Sequence, residues 1–123
     1  MGSNPVNLAA RFVLELVALV ALGRWGLLHN AGLLRFVLAA GIPLLAALLW
    51  GLFAVPNDPS RSGKATVPVP GIVRLLLEIA FFTLAAAALS STGATALGWT
   101  FAIAVAFHYL ISYDRVFWLL RQR

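Results

Sequence analysis

Cysteine is absent from the 123-residue chain. That excludes disulfide frameworks, thiolate metal sites and cysteine nucleophiles, and leaves the redox compartment unspecified. Charge is scarce: 11% of residues are charged, where a soluble domain carries about a quarter. With 62% apolar residues and a mean hydropathy of +0.94, the composition is that of a membrane protein. Sequence signatures of catalysis are missing too. There is no HExxH, ExxH, GxSxG, phosphate loop or Asp-rich metal loop, so neither an enzyme nor a resident cofactor or metal is expected. A metal site would have to be assembled from Glu15, Glu78 and His108 on three helices, a poor ligand set. The net charge is +5, from nine Lys and Arg against four Asp and Glu, but these bases are dispersed along apolar runs. They do not form the exposed basic face that nucleic acid requires, and no nucleic-acid partner is expected.

What is present is a set of four apolar windows, at residues 8–28, 33–55, 71–91 and 95–120. Each is about 20 residues or slightly more, the length a hydrocarbon layer of about 30 Å demands. The expected fold is all-α: an integral membrane four-helix bundle, a single domain over 1–123. Residues 1–7 carry no Lys or Arg, so the first run is expected to be kept as a helix and not cleaved as a signal. The connections are a tight turn at residues 29–32, a proline-rich irregular loop at 56–70, and a short polar turn at 90–93.

Basic residues set the orientation. One side carries Arg11, Arg61, Lys64, Arg74, Arg115, Arg121 and Arg123; the other carries Arg24 and Arg35. The bias puts both termini in the cytoplasm, with Asp114 and Arg115 satisfied near that interface. Trp25, Trp50, Trp99 and Trp118 lie near span ends, where amphipathic rings sit. Small residues recur at intervals of four, at Ala39, Pro43, Ala47 and Gly51 in the second span and at Gly98, Ala102 and Ala106 in the fourth, and predict close helix packing. Pro43 predicts a kink that frees a carbonyl one turn back.

An internal echo adds chemistry. RFVLE at 11–15 returns as RLLLE at 74–78, with Arg11 matching Arg74 and Glu15 matching Glu78. The first and third spans run the same way, which suggests two helical hairpins related as a parallel repeat. Both glutamates lie about 10 Å along their spans and both arginines about 4 Å. A carboxylate at mid-helix costs roughly 2.5–3.5 kcal/mol on insertion scales, so compensation is required. Either each arginine pairs with its own glutamate one turn on, or the two glutamates face each other and share a proton. The first is structural. The second would let Glu15 or Glu78 carry protons or hold a cation. His108, near the mid-depth of the fourth span, and Tyr113 complete the candidate ligand or proton site with Arg11 and Arg74. On a continuous helix Tyr109 and Tyr113 share one stripe with Ala102 and Ala106, whereas His108 and Arg115 share another. A single site uniting Glu15, Glu78, His108 and Tyr113 is therefore not expected.

The opening RFVLELVALVALGRWG, the segment GIPLLAALLWGLFAVP and the run RLLLEIAFFTLAAAAL together resemble the YrdB-like family of small four-span bacterial membrane proteins. The resemblance covers nearly the whole chain. It implies a bacterial inner-membrane location and no defined activity. Two functions remain open from the residues. One is a non-enzymatic bundle that binds a small ligand, a lipid or a membrane-protein partner, with the lipid bilayer around it and a homo-oligomer left open. The alternative is a small proton-coupled transporter.

Overall fold

The computed structural model describes residues 4–56, 58 and 67–122, and these are almost entirely helical. The first helix, α1, runs from Pro5 to Leu28. The Asn4 side chain accepts the Val6 N–H at 2.9 Å, and Pro5 at the first position needs no donor. The helix ends where Gly32, at φ +65°, reverses the chain into α2, Leu33–Leu52. The second window stops three residues early: Phe53–Ala54 is extended and pairs in parallel with Val67–Pro68 as β1 and β2. The third helix, α3, occupies Gly71–Ser91, the expected window. Gly93, at φ +87°, turns it into α4, Thr95–Ile111.

The fourth window is not one helix. It breaks at Ser112, and a further helix, α5, Tyr113–Arg121, leaves α4 at 71°. No proline or glycine marks the break. Its causes are tertiary: the Ser112 hydroxyl accepts a 2.6 Å hydrogen bond from Asn7 on α1, and Arg115 is drawn inward, to 2% exposure. The described residues thus form five helices where four were expected.

Close approach explains the packing. A Cβ on Gly26 would stand 2.8 Å from the Leu38 carbonyl carbon, and one on Gly23 3.0 Å from the Ala39 oxygen, so α1 and α2 meet backbone to backbone. Ala39 is the residue whose carbonyl Pro43 cannot hydrogen-bond; the freed oxygen lies against Gly23. Gly98 does the same for α4, packing on the Ala86 carbonyl and the Ser90 side chain of α3. Gly51, by contrast, faces open space, so the small-residue stripe of α2 meets α1 at the end holding Ala39 and Pro43.

Helices α1 and α3 run in the same direction, as the internal echo requires. Arg11 reaches Glu78 near their starts, and Arg24 donates to the Thr92 hydroxyl and carbonyl at 2.8 and 3.2 Å near their ends. Between these ties, Ala18 and Ala21 of α1 face Phe81, Phe82, Ala85 and Leu89 of α3 and Phe101 of α4. No residue of α2 is buried, so it flanks this core. The outside is more apolar than the inside: Val20, Leu44 and Ile103 are each about two-thirds or more exposed. Helices α1, α2 and α3 are long and apolar enough to cross a membrane, and α4 with α5 passes the same test if the bent pair counts as one span.

Candidate functional site

Glu78 lies about two turns into α3 and is fully buried. An unpaired carboxylate there would be ruinous, and the surroundings fill every lone pair. Its Oε1 accepts the Tyr109 hydroxyl at 2.6 Å and Arg115 Nη1 at 2.8 Å. Its Oε2 accepts Arg74 Nε at 2.8 Å and Arg115 Nη2 at 2.7 Å, and Arg11 Nη2 stands 2.9 Å away. Arg115 therefore grips Glu78 with both Nη atoms, the bidentate geometry that makes arginine–carboxylate pairs strong. The other edge of the same guanidinium holds Asp58, with Nε–Oδ1 at 3.2 Å and Nη2–Oδ2 at 2.7 Å.

The two arginines of the repeat are braced from below by one ring. The Arg74 guanidinium lies 4.3 Å from the Trp50 ring centroid and that of Arg11 5.2 Å, both within cation–π range. Arg74 Nη1 also donates to the Trp50 and Phe53 carbonyls at 2.6 and 2.7 Å, the carbonyls released where α2 ends. Trp50 in turn donates its indole N–H to Glu15 at 3.1 Å, and Arg11 Nε approaches Glu15 at 3.3 Å. Arg11 thus stands between the two glutamates. Three arginines face three carboxylates, so the cluster of Arg11, Arg74, Arg115, Glu15, Glu78 and Asp58 is neutral as a whole.

Both i,i+4 pairs expected from the repeat are present, at 3.3 Å for Arg11–Glu15 and 2.8 Å for Arg74–Glu78. A shared proton between the glutamates has no place in this geometry: a guanidinium occupies the space between them. His108 is brought to the edge of the cluster, 5% exposed, with its ring edge-on to Tyr109 at 5.6 Å. Its Nδ1 and both Nη atoms of Arg11 are buried without a hydrogen bond among the described residues, so Arg11 Nη2 meets Glu78 as an ion pair. Tyr113 is not brought in; it is 59% exposed and packs on Phe117. Tyr109 turns its hydroxyl inward to Glu78, while Tyr109 and Tyr113 still border one hollow at the bend. Arg115, expected at the aqueous interface, is instead at the centre.

Asp58, Trp50, Tyr109 and Arg115 went unrecognised in the sequence. Arg115 carried a signal, since it follows His108 by two helical turns and so shares its face on a straight helix. Asp58 carried none, in a proline-rich loop. Of the bases used to orient the chain, Arg61, Lys64 and Arg123 lie outside the described residues. No group of three or more His, Cys, Asp or Glu suited to a metal occurs among the described residues.

The family described as a protein of unknown function (DUF2568) matches residues 9–106. The chain belongs to that family. An uncharacterised protein, YrdB of Bacillus subtilis (strain 168), is 39% identical to it over 119 residues, covering 97% of each chain. No solved structure matches. The matched region holds Arg11, Glu15, Trp50, Asp58, Arg74, Glu78, His108's neighbours on α4 up to Ala106, and the Gly23, Gly26 and Gly98 contacts. It stops short of Arg115 and α5.

Proposed function

We propose that this is a non-enzymatic protein of the bacterial inner membrane, crossing it four times with its more basic side in the cytoplasm, and that it binds a lipid or a lipid-soluble small ligand. The cluster around Glu78 is its structural clasp. The observation that carries this reading is the saturation of Glu78 by Arg74, Arg115 and Tyr109 with Arg11 alongside. A carboxylate whose two oxygens are already taken by guanidiniums and a phenol has no lone pair to offer a substrate.

Receptive space lies elsewhere, in an apolar groove of about 400 Å³ between α3 and α4, lined by Ile79, Phe82, Thr83, Ala102, Val105 and Tyr109 among others. Its size and lining are those of a small-molecule or acyl-chain site. Native mass spectrometry of the gently purified protein tests the reading. A co-purifying lipid or apolar molecule is expected, and Ala102→Trp, which fills the groove, should release it. Proton-driven solute flux in liposomes, abolished by Glu78→Gln or Glu15→Gln in folded protein, would overturn it in favour of a transporter.

A further inference from the structure

The two ends of α5 rest against the starts of the two parallel helices. At its start, Ser112 is hydrogen-bonded to Asn7, in the first turn of α1. At its end, the Gln122 carbonyl accepts the Gly71 N–H at 2.9 Å, and Leu119 presses its carbonyl onto Gly71 so closely that a Cβ there would overlap it. Gly71 is the first residue of α3. So α5 crosses the end of the helix assembly from the start of one parallel helix to the start of the other.

Its sides are sorted three ways. At about 100° per residue, Arg115 and Leu119 share the face turned to the protein, and they are 2% and 0% exposed. Tyr113, Phe117 and Leu120 share a second face and are 59%, 56% and 49% exposed. Asp114 and Arg121 lie about 90° round from that stripe and are both exposed. The stripe continues onto α4: Ala106, Tyr109 and Leu110 of α4 and Tyr113, Val116 and Phe117 of α5 line one hollow of about 280 Å³ in the elbow.

We infer that α5 is an interfacial helix lying in the plane of the bilayer surface, with Tyr113, Phe117 and Leu120 seated at the boundary between headgroups and acyl chains and an acyl chain filling the elbow. Arg115 pins it to the protein while Asp114 and Arg121 meet water. The 17 residues of α4 already span about 26 Å, close to the full hydrocarbon thickness, and the 71° turn then directs the chain along the surface. An amphipathic helix with aromatic residues on one side and charge on another is the form that binds there. The inference rests on the membrane reading proposed above.

The chain lacks cysteine, so single nitroxide labels can be placed cleanly at Ile103→Cys, Tyr113→Cys, Phe117→Cys and Arg121→Cys. The protein would be reconstituted in vesicles of phosphatidylethanolamine and phosphatidylglycerol, and relaxation by oxygen compared with relaxation by a water-soluble nickel chelate. The expected result is a deep label at 103, shallow labels of matching depth at 113 and 117, and a water-exposed label at 121. A depth difference of about 6 Å between 113 and 117, the rise of four residues along the membrane normal, would overturn the inference. So would labels at 113 and 117 as nickel-accessible as the one at 121, or spin–spin broadening at 117 that marks a second copy on this face. Nickel access at 103 would instead overturn the membrane reading itself.

Discussion

The two Arg-x-x-x-Glu copies are nearly identical in sequence and sit on parallel helices, yet they do different work. In α3, Glu78 is fully buried and draws Arg74, Arg115, Arg11 and Tyr109 onto its two oxygens. In α1, the Glu15 side chain is 21% exposed, with Arg11 at 3.3 Å and the Trp50 indole as its other ligand. The difference comes from what surrounds each helix. Helix α3 packs against α1, α4 and α5, whereas Glu15 looks toward α2, which buries no residue of its own. A motif's spacing provides a local pair; its neighbours decide whether that pair becomes the hub of a cluster.

The sharpest way to break this asymmetry is Glu78→Gln, which keeps the shape but leaves three buried guanidiniums with two carboxylates. Removing one partner from a buried ionic network costs about 3–5 kcal/mol, so denaturant titration in micelles should show a large loss of stability. Tyr109→Phe deletes one hydrogen bond to a charged acceptor and should cost about 1.5–3 kcal/mol, read by the same titration. Gly71→Ala tests whether α5 is needed to complete the hub. Its Cβ would strike the Leu119 carbonyl and should cost about 1–3 kcal/mol as an overpacked contact, whereas Gly41→Ala, with nothing within 4 Å, should leave the transition unchanged or raise it by about 0.5–1 kcal/mol. Glu15→Gln should matter least, at about 1 kcal/mol or below, because the pair is partly exposed and a glutamine oxygen can still accept the Trp50 N–H.

Much of the architecture was legible in the residues because it follows from local rules. Window lengths located α1, α2 and α3, the glycines at 32 and 93 marked the turns, and the repeat spacing gave both i,i+4 pairs. The break at Ser112 was not legible, because nothing in Ile111-Ser112-Tyr113 disfavours a helix. It is imposed by Asn7 and by the pull of Glu78 and Asp58 on Arg115, contacts between residues distant in sequence. The same holds for the site. Arg11, Glu15, Arg74 and Glu78 could be read from spacing, but Arg115 could be moved from interface to centre only by knowing that the fourth window bends. Hydropathy also treats Trp50 as an interfacial ring, when its place under Arg11 and Arg74 depends on how α2 docks.

The central claim is that Arg11, though it follows the repeat in pairing with Glu15, belongs energetically to Glu78. A double-mutant cycle decides it, combining Arg11→Gln with Glu78→Gln in one cycle and with Glu15→Gln in the other, and measuring unfolding free energies in the same micelle. The account predicts a coupling between Arg11 and Glu78 well above that between Arg11 and Glu15. Equal couplings, or a larger one to Glu15, would mean that each copy stands alone and that Glu78 is no hub.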